Sequence, residues 1–351
     1  MKNTKFKTKI IATIGPSSDS PEVILDFLKS GVNMFRFNMK HGTKKWHKEK
    51  IQLVQNLAKK HKKKIQVFVD LQGPEIRILT KAGKDINLKR KEKITLGNDR
   101  AKLSLTHPKA IKSLKKNDLV LIDDGFLRLK VARKNKASVM LEAIEDCVLK
   151  NFKGVNLPGK NIKISSLAKR DIENLEIAKK INIDFIALSF VRNAKDILDL
   201  KIELTRQDIK SKIISKIETQ KAINNIKEII KVSDMIMIAR GDLGIETPIS
   251  KLAFYQKEII KKCKAQKTPV IVATQMLYSM TSSYLPTRAE ACDVANAVLD
   301  GADALMLSNE TATGQYPVQC TKIMADIIKF NEGLISQSIF KRMLYLFKFG
   351  K

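Results

Sequence analysis

The sequence predicts an α/β chain: a (β/α)8 TIM barrel with a small all-β lid domain inserted after its third strand. Three observations carry that expectation. Eight short, β-branched runs, at 9–14, 34–38, 65–70, 185–190, 213–217, 235–239, 269–274 and 304–308, alternate with amphipathic helical stretches. The runs are nearly continuous in Ile, Val and Met, as strands buried on both faces must be. The one long interruption, roughly 75–155, falls between the third and fourth runs, and removing it leaves close to the ~250 residues typical of such a barrel.

Taken in order, the elements are well punctuated. Residues 1–16 are basic with a brief apolar run, too short for a signal-peptide core and without a small-residue cleavage site; they read as the first strand of a cytoplasmic protein. Ser20, Pro21 and Glu22 supply an N-cap, an N1 proline and an acidic first turn, and that helix closes at Gly31. Thr43, Ser165 or Ser166, Asn193, Thr219 and Ser250 are the expected caps of later helices. Pro286 and Thr287 open another, which ends near Asp300 and Gly301. Inside the interruption, alternation on both sides of Asp123, Asp124 and Gly125 reads as a hairpin with a tight turn. An insertion after strand 3 leaves the barrel at its C-terminal face, where barrel active sites lie, so it should cover the site. Three units result: a catalytic barrel from 1–74 and 156–333, a β-rich lid at 75–155, and a C-terminal tail at 334–351.

Composition narrows the function classes. An apolar content of 44% over 351 residues suits a soluble globular protein, and no stretch approaches the ~18–20 apolar residues of a membrane span. Cys147, Cys263, Cys292 and Cys320 are scattered with no CxxC, which speaks for reduced thiols and against a zinc site. The formal charge of +30 raises nucleic acid as a partner. Against it, the lysines are spread through every helix, and aromatic stacking platforms make up only 6% of the chain. The basic surface reads instead as solvated and able to steer anionic substrates.

A barrel of this kind gathers its chemistry at the C-terminal ends of its strands, and seven of the eight runs end in polar groups. Strand 2 gives Arg36 and Asn38, followed by Lys40 and His41; strand 3 gives Asp70; strand 4 gives Ser189 and Arg192. Strand 5 ends in Lys216 and Glu218, strand 6 in Arg240 and Asp242, strand 7 in Thr274 and Gln275, and strand 8 in Ser308, Asn309 and Glu310. Strand alternation puts Lys216 and Glu218 on one face. Charges cannot sit unpaired in a buried strand, but at its end they can face a cleft. One ammonium and two carboxylates converging there can grip a phosphorylated, metal-bound anion. Glu218 and Asp242 are hard oxygen ligands for magnesium or manganese. Lys216 can place a cation on a transferring phosphoryl group or a developing enolate, and Arg36 can add a bidentate phosphate contact. The turn at 240–244 can aim successive N–H groups at a carboxylate. Thr274 and Ser308 can relay a proton or merely cap backbone. His41 and Arg77 flank the exits of strands 2 and 3 and can meet a nucleotide phosphate.

Ten motifs extend the reading: TKIIATIGPSS (8–18), FRFNMKHG (35–42), DLQGPEIR (70–77), GVNLPG (154–159), SFVR (189–192), SKIE (215–218), ARGDLGIE (239–246), ATQML (273–277), PTRAEACDVANAVLDGAD (286–303) and LSNETATGQYP (307–317). In this order, over residues 1 to about 333, the chain resembles the pyruvate kinase family. The resemblance implies a barrel under a mobile β lid that transfers phosphoryl from phosphoenolpyruvate to ADP, giving pyruvate and ATP, a step of glycolysis that uses Mg2+. It makes Glu218 and Asp242 the metal ligands and Lys216 the transition-state stabiliser. Arg36 and Thr274 become substrate contacts, with the Gly241 and Asp242 amides at the carboxylate. Asn38, His41, Arg77 and Lys153 fall on the cofactor and nucleotide side. The monovalent cation, K+ in the family, maps to Asn38, Lys40, Asp70 and Leu71.

Three departures stand out. Lys40 occupies the place of a usual serine ligand, so its ammonium is expected to replace potassium beside Asp70, although Glu75 stands where potassium-independent relatives often carry lysine. Leu71 and Gln72 replace a frequent Thr-Lys pair. The family usually continues into a further αβ domain that binds effectors, whereas this sequence ends soon after the eighth helix. That leads to an expectation of simple kinetics in a monomer or barrel–barrel homodimer, with 335–349, apolar and basic, as a strap or a remnant interface. Two other readings are weaker. A lyase acting on a pyruvate enolate needs neither lid nor nucleotide-side residues, and a non-catalytic basic protein need not retain Arg36, Lys216, Glu218 and Asp242.

Overall fold

The computed structural model describes residues 7–97, 101–160, 162 and 164–349, with side chains as far as Ile335. All eight expected strands form: β1 (Lys9–Thr13), β2 (Val32–Asn38), β3 (Gln66–Asp70), β4 (Phe185–Leu188), β5 (Lys212–Ile217), β6 (Met235–Ala239), β7 (Val270–Ala273) and β8 (Ala304–Leu307). They close into a parallel barrel in the order β1-β8-β7-β6-β5-β4-β3-β2. Its interior is packed with side chains, among them Ile11, Met34, Phe68, Met237, Ile271 and Met306. The opposite strand faces pack against the helices. Burial on both sides explains why the strands read as unbroken apolar runs. Pairing of β2 with β3 sets Asn38 opposite Asp70, and pairing of β5 with β6 sets Lys216 opposite Met237. The polar strand ends therefore reach similar heights at one rim.

The helices begin where side chains can take up their orphan amides. Ser20 accepts from Val23 at the head of Pro21–Ser30, and Gly31 closes that helix at φ 100. A cap of this kind contributes about 1 kcal/mol. Thr43, Asn193, Thr219 and Thr287 cap their helices in the same way, Thr287 with the reciprocal Glu290 bond. Two starts differ from expectation. Helix Lys169–Lys180 begins after Ala168 and not at Ser165 or Ser166, because Asp171 in its first turn accepts the Ala168 amide at 3.0 Å. Ser250 lies inside a single 3-10 turn, Ile249–Lys251, and does not cap Leu252–Ala265.

Between β3 and Lys169–Lys180 the chain forms a seven-stranded sheet and a separate two-stranded ribbon, built around Ile94, Leu96, Val131 and Leu141. A short helix, Lys109–Ser113, is the element that strand alternation did not anticipate. The hairpin of Leu119–Ile122 and Leu127–Lys134 turns through Asp124 (φ 55) and Gly125 (φ 84), closed by Phe126 N–H on the Asp123 carbonyl at 3.1 Å. The two central residues, like Asp123 before them (φ 54), have positive φ, which matches the right-handed twist of the flanking strands. The entering and leaving segments are zipped together, Ile78 N to Lys153 O at 2.9 Å and Val155 N to Ile76 O at 2.8 Å. The hairpin tip meets the barrel at Gly125, beside Ile245. Asn156 Nδ2 also donates to Glu246 Oε1 at 3.4 Å. The β domain thus stands over the C-terminal ends of the barrel strands.

The last helix, Pro317–Phe349, is continuous, so residues from 334 onward extend the eighth barrel helix and do not form a separate tail. Apart from Ile335, the side chains of the expected strap at 335–349 lie outside the described ones. No helix among the described residues is long and apolar enough to cross a membrane.

Candidate active site

The ends of β3 and β4 meet Lys216 at the end of β5. Its ammonium donates to Ser189 Oγ at 2.7 Å and lies 2.9 Å from Glu218 Oε1 and 3.2 Å from Asp70 Oδ1. Burial alone would lower its pKa, but Asp70 and Glu218 more than offset this and raise it. Asp70 is 1% exposed. Burial pushes its carboxyl up, while Lys216 and Arg36 push it further down, so it stays ionised below the usual aspartate value. Arg36 supplies Nε and Nη2 to Asp70 Oδ2 at 2.9 and 2.7 Å, and Nη1 to Thr13 Oγ1 at 3.2 Å.

Glu218 Oε2 accepts the Phe190 amide at 2.6 Å, with Phe190 held at φ 55. Asp242 carries no hydrogen bond or ion pair among the described residues, and burial followed by the nearby Glu218 charge raises its pKa to about 7. A buried and a half-buried carboxylate near each other, the latter without a partner among the described residues, form a site that gains from a cation. No group of three or more His, Cys, Asp or Glu side chains is arranged for a metal among the described residues. A two-carboxylate donor set of hard oxygens nonetheless fits magnesium, which keeps several positions for water and substrate oxygens. Arg36, Asn38, Lys216, Glu218 and Asp242 line one cleft, with Asp124 reaching in from the hairpin tip of the lid.

The other expected residues are placed as follows. Lys40 does not sit on Asp70: its ammonium pairs with Glu75 Oε1 at 3.0 Å and is 38% exposed, while Asp70 pairs with Arg36 and Lys216. Asn38 Oδ1 instead accepts the Lys40 backbone amide at 3.2 Å. Residues 240–246 are not a turn but a helix, Arg240–Glu246, that starts directly after β6. The Gly241 amide in its first turn is taken by Thr274 Oγ1 at 2.7 Å. Ser308 Oγ is buried without a hydrogen-bond partner among the described residues, and neither Ser308, Thr274 nor Gly241 is among the residues lining the cleft. Arg77 is tied to Glu75 (2.7 Å), to the Phe152 carbonyl and to the Phe152 ring face, and Lys153 to Asp123 at 2.9 Å. The His41 carbonyl accepts His47 Nε2 at 2.7 Å, and burial, then Lys40 and Arg36, lower the His41 pKa.

The central hydroxyl, Ser189, was legible only as one more polar strand end. It donates to the Leu71 carbonyl at 2.7 Å while accepting from Lys216. Asp171 gave no sequence signal at all, yet it accepts the Gln72 and Gly73 amides at 2.9 and 3.1 Å and fixes the exit of β3. Gly73 has φ 72, and a Cβ there would lie 2.9 Å from Ser189 Cβ. Gly73→Ala is therefore expected to destabilise the fold by about 1–3 kcal/mol. Urea unfolding measures this, and an unchanged midpoint would show that Ser189 is not pressed into place there.

The profile described as pyruvate kinase, barrel domain, matches residues 5–321. A pyruvate kinase of Clostridium perfringens is 41% identical over 345 residues, 96% of this chain and 73% of that protein. The chain belongs to the pyruvate kinase family. A Staphylococcus epidermidis pyruvate kinase is 42% identical over 92% of this chain, which spans only 56% of that relative's length. The crystal structure of a pyruvate kinase from Cryptosporidium parvum superposes with a TM-score of 0.91 at 35% identity, covering 97% of this chain and 72% of the other. The barrel with its inserted β domain is thus the architecture this chain shares with a pyruvate kinase.

Proposed function

We propose that this chain transfers the phosphoryl group of phosphoenolpyruvate to ADP, releasing pyruvate and ATP. The observation that carries the reading is the Lys216 ammonium, buried between Asp70 and Glu218 in a cleft that also presents Arg36 and Asp242. The bond between phosphorus and the enol oxygen breaks, a bond to a terminal ADP oxygen forms, and the enolate left behind takes a proton at its methylene carbon. Lys216 and Arg36 are preorganised cations for the equatorial phosphoryl oxygens and the enolate oxygen. Glu218 and Asp242 would hold magnesium, or manganese, which supplies further positive charge to the same oxygens. Thr274 Oγ1 accepts from Gly241 and donates to no other group among the described residues, which leaves its proton for substrate. A second cleft lined by Gly42, Thr43, Lys44, His47, Lys169 and Arg170 adjoins His41 through the His47 bond and combines cations with two helix N-termini. It suits the nucleotide.

The test is pyruvate formation from phosphoenolpyruvate and ADP with magnesium, and no turnover would sink the reading. Potassium forms a second arm. With the Lys40 ammonium on Glu75, a monovalent cation can approach Asn38 and Asp70, and added potassium is expected to raise turnover several-fold. Indifference to potassium would return the Lys40 charge to the ion's place. A homodimer belongs to the same reading, supported by the exposed Tyr278, Tyr284 and Leu285 after β7. Sedimentation at a single mass of one chain would exclude it.

A further inference from the structure

The end of β7 carries two consecutive side-chain-bearing residues in the left-handed region, Thr274 at φ 72 and Gln275 at φ 53. Threonine is β-branched and rarely found there, so the surrounding structure must hold the turn in place. Arg240 does so. Its Nη2 donates to the Thr274 carbonyl at 2.8 Å and the Gln275 carbonyl at 3.3 Å, and lies 2.9 Å from Met276 Sδ. Its Nη1 is fixed by Asp293 Oδ1 at 2.8 Å and Gln256 Oε1 at 3.3 Å, so the fork cannot swing away. The guanidinium is buried and is not among the residues that line the cleft. The next residue, Gly241, donates its amide to Thr274 Oγ1. Two neighbours at one helix start thus grip the backbone and the side chain of the same threonine.

We propose that Arg240 is a positioning residue for the reaction: by satisfying the carbonyls of the left-handed turn it sets where the Thr274 hydroxyl stands relative to Gly241 and the substrate. The proposal rests on the reading of Thr274 as a substrate contact. A lysine cannot reproduce the arrangement, since one ammonium lacks the planar fork that spans Asp293 and two carbonyls.

The experiment compares Arg240→Lys, Arg240→Ala, Thr274→Ala and the double variant Arg240→Ala/Gln275→Gly with the wild type, all well below their melting temperatures. Three readouts are taken: kcat, KM for phosphoenolpyruvate, and deuterium exchange into the pyruvate methyl group, which follows proton delivery to the enolate. Arg240→Lys is expected to lower kcat and exchange about tenfold and Arg240→Ala about 10²-fold, with KM nearly unchanged. Gln275→Gly makes the left-handed turn easy without the guanidinium, so it should restore about tenfold of the Arg240→Ala loss. A merely structural role would shift melting temperature without this recovery. If Thr274→Ala is slow while Arg240→Lys matches the wild type, the proposal fails and the reading of Thr274 stands. If Thr274→Ala turns over normally, both fail.

Discussion

Lys216→Met is expected to abolish pyruvate formation while the chain stays folded at 25 °C. The ammonium is the only group among the described residues that meets Asp70, Glu218 and Ser189 at once, at 3.2, 2.9 and 2.7 Å. Removing one preorganised charge of this kind costs on the order of 10²–10³ in rate, or more. Methionine keeps the length and apolar stem but leaves two buried carboxylates short of a cation, which destabilises by about 3 kcal/mol; Arg36 on Asp70 and the Phe190 amide on Glu218 keep the loss from growing larger. The pH dependence of that loss has a definite sign. Asp70 has a depressed pKa, so its stabilising contribution is present above the unfolded aspartate value and is lost as pH falls through the folded one. The raised pKa of Lys216 makes its contribution complete below the unfolded lysine value, hence throughout neutral and acid pH, as long as Asp70 remains ionised. The gap between wild type and variant should therefore be widest near neutrality and narrow in acid. Turnover above half of wild type, or a stability gap that widens in acid, would overturn the assignment.

The barrel was legible because each strand is a short apolar run ending in polar groups, and because Ser20, Thr43, Asn193, Thr219 and Thr287 are capping residues whose bonds are local. The lid hairpin was legible for the same reason, since only a few residue pairs tolerate its turn. What escaped are bonds between residues far apart in sequence. Asp171 stabilises an amide pair about a hundred residues earlier, and no local pattern marks it. Lys40 is the converse case. Strand alternation correctly directed it toward the rim, but its partner depends on which cations had already claimed Asp70, and Arg36 and Lys216 are closer. Arg240 looked like a charge for the cleft because it ends a strand, and only the folded turn at Thr274 shows what its donors serve.

Glu218→Gln and Asp242→Asn should each raise the magnesium needed for half-maximal turnover by roughly 10²-fold, since even groups one shell beyond a metal typically cost 10–100-fold when removed. Their effects on the protein itself should differ in sign. Glu218 is committed to Lys216 and to the Phe190 amide, so Glu218→Gln leaves the ammonium less balanced and should lower the urea midpoint. Asp242 has no such partner among the described residues and stands near the Glu218 and Asp124 charges, with burial adding to the cost of its ionised form. Asp242→Asn removes one of these like charges, so in chelator at pH 8 it should unfold at higher urea than the wild type. Adding magnesium should then reverse the order, stabilising the wild type far more than the variant, because a ligand that binds only the folded state stabilises in proportion to its occupancy. The thermal shift produced by magnesium reads this without any turnover. If Asp242→Asn is destabilised in chelator and magnesium stabilises it as much as the wild type, Asp242 is a structural carboxylate and the cation binds elsewhere.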